Sequence, residues 1–157
     1  MVYNKENISV IEDRIEMYCS RSEQCRFSVR KKLQSWHVPD TEIARILKNL
    51  EDERFIDEQR YASAFTNDKV KFGHCGKQKI RFELKQHGIP DSCIRKALEE
   101  IPEELYVRIM EEVALSKWEK LSAEENVFVR RQKLSAFLLS RGFEMDRIIA
   151  LEKNLGG

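Results

Sequence analysis

The chain has 157 residues, 35% of them charged, and its 28 Lys and Arg against 27 Asp and Glu leave a formal charge of +1. That balance excludes a uniformly cationic nucleic-acid wrapper. The longest apolar runs, Ala136–Leu139 and Ile148–Leu151, are four residues long, far short of the ~20 a membrane helix needs.

Six glycines and three prolines are few for this length, and the abundance of Lys, Arg, Glu and Leu suits helices with hydrated outer faces. Residues 1–6 (Met1-Val2-Tyr3-Asn4-Lys5-Glu6) lack the basic cluster and apolar core of a signal peptide, so a cytoplasmic protein is expected. The four cysteines, Cys19, Cys25, Cys75 and Cys93, form no C-x-x-C pair. Reduced thiols are expected, with no disulfide and no metal; a zinc site built on His74 and Cys75 would lack the usual paired spacing.

Ile8, Ile11, Ile15 and Tyr18 recur at helical spacing, so a first helix starts within ten residues. A second fits Arg26 to Trp36, with Val29, Leu33 and Trp36 on one face. A third fits Asp40 to about Asp52, begun by Pro39 as a first-turn proline or by Asp40 as a cap. Asp57 is placed to cap a fourth helix, with Ile56 and Tyr61 as a hydrophobic staple. That helix carries Ala62, Phe65 and Phe72 up to Gly73.

Gly76 opens a fifth helix with Ile80 and Leu84 inward, and Gly88 can close it in a left-handed conformation. Pro90-Asp91 starts a sixth, with Ile94, Leu98 and Ile101 inward. Pro102 begins a seventh with Leu105, Ile109, Val113 and Trp118. An eighth runs from about Glu125 to Arg141 with Val127, Leu134, Phe137 and Leu138, and stops at Gly142. The ninth, from about Glu144, carries Ile148, Ile149 and Leu151. No segment alternates at period two, so no strand is expected.

The nine helices repeat. Sliding Val29–Leu50 by 51 residues onto Ile80–Ile101 gives six identities, among them Leu33/Leu84, Pro39/Pro90, Asp40/Asp91 and Leu47/Leu98. A shift of 54 lays Leu84, Gly88, Ile94 and Ile101 on Leu138, Gly142, Ile148 and Leu155. The expected fold is all-α: three tandem three-helix repeats, over 1–54, 55–101 and 102–157. Stacking would bury the apolar face each unit leaves open, giving an elongated, solenoid-like body that a small rotation per unit would curve.

Charge follows the repeats. Arg26–Trp36, Asp68–Lys85 and Val127–Arg141 each carry +4, around the middle helix of each unit, and the remainder is strongly acidic. Aligned in space, the three stretches would form a basic ridge able to meet phosphates or an acidic protein groove. Charged runs on helices also serve simply as solvated faces.

The acidic groups Asp57, Glu58, Glu103 and Glu104 suit helix N-termini electrostatically. No histidine or nucleophile stands in register with them. Gly73-His74-Cys75-Gly76 lacks the Lys-Ser/Thr of a phosphate loop. His37, His74 and His87 lie near helix ends, where an imidazole caps carbonyls or covers the core. No active site and no cofactor are expected.

The stretch Leu50-Glu51-Asp52-Glu53-Arg54-Phe55-Ile56-Asp57-Glu58-Gln59-Arg60-Tyr61-Ala62-Ser63-Ala64-Phe65 resembles the signature of RecX, the bacterial regulator of the RecA recombinase. The pattern continues through Lys71-Phe72-Gly73, Gly76, Ile80, Leu84 and Gly88-Ile89, and the resemblance extends from about Cys19 to Leu155. Trp36-His37-Val38 departs from it, since the family favours glycine before the apolar residue.

The resemblance implies a non-enzymatic modulator that binds the groove of RecA filaments on single-stranded DNA. Such a protein hinders filament growth, strand exchange and ATP hydrolysis. A monomer is expected. The contact candidates on this chain are Arg26, Arg30, Lys69, Lys71, Lys77, Lys79, Arg81, Arg130, Arg131 and Lys133. Tyr61, Phe65 and Ile80 fit the core. Two other readings stay open: a non-specific DNA-binding helical module, and a helical adaptor for some other protein.

Overall fold

The structure, a computed structural model, describes residues 5–155. The signal-peptide reading rests on residues 1–4 and on the side chains of Lys5 and Glu6, which, like the side chain of Leu155, the expected counterpart of Ile101, fall outside the described residues. Among the described residues there are nine α-helices and no strand: α1 (Lys5–Arg21), α2 (Arg26–Ser35), α3 (Asp40–Asp52), α4 (Glu58–Lys71), α5 (Lys77–Gln86), α6 (Asp91–Glu99), α7 (Glu103–Lys120), α8 (Val127–Ser140) and α9 (Met145–Leu155). None is long and apolar enough to cross a membrane.

Helix starts are set by short-range chemistry. Cys25 caps α2 by accepting from the Ser28 N–H, while the Ser28 hydroxyl accepts from the Cys25 N–H in return. Asp57 caps α4 through the Arg60 N–H at 2.9 Å, and Asn126 caps α8 through Phe128 and Val129. Pro39 is neither a first-turn proline nor the neighbour of an Asp cap. It occupies the cap position itself, as Pro90 and Pro102 do, with its carbonyl accepting the first helical bond and no side-chain cap.

The middle helices also end alike. Residues His37 (φ +59°), Gly88 (+72°) and Gly142 (+94°) are left-handed. The next residue in each case donates back to a fully buried leucine: Val38 to Leu33, Ile89 to Leu84, Phe143 to Leu138, at 3.1–3.2 Å. His37 therefore makes the same turn without glycine, held by the two backbone bonds and by burial of Val38.

The interior is not repeated three times. Ile11, Ile15, Val29, Leu33, Ile43, Ile46, Leu47 and Leu50 form one core with α1–α3. A second, continuous core joins α4 to α9, from Ala62 and Val70 to Leu138, Phe143 and Ile148.

Some expected core positions lie outside. Phe72, the C-cap of α4, keeps its helical bond to the Asp68 carbonyl but is 80% exposed. Val127 and Ile149 are also exposed. On α7 the buried face is Tyr106, Ile109, Met110 and Ala114, while Leu105, Val113 and Trp118 pack on its rim. The helix is turned by one residue because it meets both α4 and α8.

Candidate partner-binding surface

The N-termini of α2 and α5 are joints, and the joints decide which basic residues are free. At the first, Glu58 of α4 accepts the Arg26 N–H at 3.3 Å, and Arg60 reaches Glu23 at 2.7 Å and the Arg54 carbonyl at 3.0 Å. Phe27 stacks on His87 at 5.2 Å, and the Tyr61 hydroxyl meets His87 Nδ1 at 3.1 Å. Burial pushes the Tyr61 phenol up, so it stays protonated. His87 thus covers the core, as expected of a histidine at a helix end.

At the second joint, α5 receives carbonyls from the end of α8. Gly76 N–H donates to the Arg141 carbonyl at 2.7 Å and Gln78 N–H to that of Gly142 at 2.9 Å. The Arg141 guanidinium in turn donates to the Gly73 and His74 carbonyls. The glycine-rich turn 73–76 is therefore a seat for α8, not an anion cradle.

Beside it, the buried Tyr106 hydroxyl accepts the Lys77 N–H at 3.0 Å and donates to Glu144. Burial, and then the bond to Glu144, push the phenol up. Arg147 grips Glu103 at 2.7 and 3.0 Å and Glu144 at 2.6 Å. Its bond to Glu103 holds that carboxyl below the usual range. Lys77 Nζ and the Arg147 guanidinium lie 4.8 and 4.9 Å from the Tyr106 ring centre.

The ten candidate cations divide accordingly. Arg26 is paired with Glu51, Lys69 with Glu83 at 3.6 Å and Lys133 with Glu124 at 3.1 Å. Lys77 lies over Tyr106, and Arg130 lies 3.8 Å from the Trp118 ring centre while donating to its carbonyl. Lys79 fills the space beside Gly142. Arg30, Lys71, Arg81 and Arg131 make no ion pair among the described residues, although the Arg131 Nε is buried.

Sequence reasoning missed Tyr106, Glu144 and Arg147, whose partners lie 29 to 44 residues away. It also missed Arg95, which lines a cleft with Arg81 and Lys85. All four cysteines are free thiols, and burial lifts Cys19 to about 11. Among the described residues no group of three or more His, Cys, Asp and Glu could hold a metal.

Residues 57–98 match the second three-helix domain of RecX, and residues 104–150 match its third. The chain belongs to the RecX family. It is 27% identical to the regulatory protein RecX of Clostridium acetobutylicum over 94% of this chain and 69% of that one. To the RecX of Prosthecochloris aestuarii it is 29% identical over 83% of each.

The Streptococcus uberis RecX is 28% identical over 88% of this chain, which spans about half (52%) of that longer relative. The crystal structure of RecX from Lactobacillus salivarius has a TM-score of 0.81 at 24% identity, covering 97% of this chain and 98% of that one. A second RecX crystal structure gives 0.80 at 22%, covering 98% and 79%. The all-α fold is thus shared with RecX, a family of regulatory proteins rather than enzymes.

Proposed function

We propose that the chain binds the RecA recombinase filament on single-stranded DNA and limits its growth, strand exchange and ATP hydrolysis, as a cytoplasmic monomer. Family membership supports the partner. The observation that carries the mode is the set of cations with no ion pair among the described residues, Arg30, Lys71, Arg81 and Arg131, spread over α2, the end of α4, α5 and α8. Cations without intramolecular partners keep their field for phosphates or acidic side chains. The three units, 1–54, 55–101 and 102–157, would lay these charges along one partner.

Arg26, Lys69, Lys77, Lys79, Arg130 and Lys133 contribute background potential to that contact, since each is paired or packed within the chain. A sequence-reading DNA module is disfavoured by α3. Its central Arg45 is held by Glu12 at 2.8 Å and Glu42 at 2.9 Å, so it is not free to read bases. A general adaptor would leave recombinase filaments alone. Cosedimentation with preformed RecA–single-stranded DNA filaments tests the proposal: retention is expected, and its absence at low salt would contradict it.

A further inference from the structure

The turns at His37, Gly88 and Gly142 put four residues at matching positions on each pair of flanking helices: seven and three before the turn, three and seven after it. In the first unit they are Arg30, Gln34, Asp40 and Ala44. In the second they are Arg81, Lys85, Asp91 and Arg95. In the third they are Ser135, Leu139, Met145 and Ile149. The same architectural place is weakly polar, cationic and apolar in turn.

The cationic version is an open cleft of about 290 Å³ with Ile94 at its base. Lys85 meets Asp91 only loosely, at 3.9 Å, and both side chains are largely exposed. Arg81 and Arg95 are exposed and have no ion pair among the described residues. Three cations against one carboxylate leave a notch of net positive charge among the described residues.

One residue on from Arg81, Phe82 is 62% exposed. Phe72, 80% exposed, ends α4, whose last turn is tied to α5 by Lys69–Glu83. An exposed ring on α5, next in sequence to the unpaired Arg81, suits a ligand that offers both anions and flat apolar faces, and unpaired bases on a phosphodiester backbone offer both. An acidic peptide would use the notch and leave the rings wet. A duplex hides its base faces.

We infer that the α5–α6 notch of Arg81, Lys85 and Arg95 takes a backbone phosphate of single-stranded DNA while Phe82 stacks on an adjacent base. The assignment rests on the filament reading for the source of the DNA, and adds a direct contact made by the protein itself.

Fluorescence anisotropy of a labelled oligo-dT with the full chain, without recombinase, tests it between about 50 and 200 mM salt. Arg95→Glu is expected to weaken binding about tenfold or more at the low-salt end. It should also flatten the log–log salt slope by about 0.7 for each phosphate that is no longer neutralised. Phe82→Ala should weaken dT binding about fivefold or more at an unchanged slope, and leave duplex binding alone. Arg95→Gln keeps the side chain's reach without its charge, and should reproduce the loss if Arg95→Glu misfolds.

Absent dT binding by the wild type at 50 mM salt, or unaltered binding by folded variants, overturns the assignment. So does tighter binding of a poly-glutamate peptide than of dT. Wild type that binds dT without touching recombinase filaments upholds the notch and removes the filament reading. Wild type that binds filaments but not dT does the reverse.

Discussion

Gly76 and Gly142 pack backbone against backbone where α8 ends on the start of α5. A side chain on either would strike main-chain atoms of the opposite turn or of Lys79. This contact closes the shared core of α4–α9, so it is a joint and not a surface detail.

Gly142→Ala should therefore cost more than about 2 kcal/mol, since steric overlap adds to the left-handed backbone penalty of ~1–2 kcal/mol. Gly88→Ala is the control. Gly88 has the same handedness but open space around it, so only the ~1–2 kcal/mol backbone penalty applies. Urea denaturation of both variants checks this; equal losses would contradict the packing role of Gly142.

Tyr106→Phe removes the hydroxyl that links Lys77 N–H to Glu144 in a fully buried place. Leaving a buried donor without its acceptor should cost ~1–3 kcal/mol. Unchanged stability of a folded variant would show that water replaces the hydroxyl without loss.

These joints were the part least legible in sequence, for a physical reason. Asp57 as a cap, Gly88 and Gly142 as stops and the leucines before them act within four or five residues, so spacing alone reveals them. The face of α7 is set by what α4 and α8 present to it, and Tyr106, the residue that matters most there, was hidden behind the more obviously apolar Leu105 and Val113. The three basic stretches were visible as counts. Which of their charges are free depends on Glu51, Glu124, Trp118 and Tyr106, 9 to 29 residues away and outside their own helices.

Asp57→Ala removes the carboxylate that accepts the Arg60 N–H. A loss of ~0.5–2 kcal/mol is expected. A melting profile identical to wild type would exclude the cap as a source of stability.

Glu58 is raised above the usual carboxylate range, first by burial, against the lowering effect of the Arg26 N–H and of the Arg26 charge. One of its oxygens is buried without a partner. A folded pKa above the unfolded one means that the charged form opposes folding at neutral pH, and that the opposition fades as pH falls through the folded value. Glu58→Gln keeps an acceptor for Arg26 and should raise the melting temperature near pH 7. The gain should shrink in acid; a gain that grows in acid would reverse the sign argued here.

The most direct test of the central claim follows ATP hydrolysis by preformed RecA filaments on single-stranded DNA, with wild type or an Arg30→Glu/Lys71→Glu/Arg81→Glu variant added. Lys77 and Lys79 are left intact because both are packed into the α5–α8 joint. Wild type should slow hydrolysis in a dose-dependent way at substoichiometric amounts. The variant should keep its fold and lose most of that effect. Full inhibition by the folded variant would remove the free cations from the mechanism, and hydrolysis untouched by wild type would contradict the regulatory role on this partner.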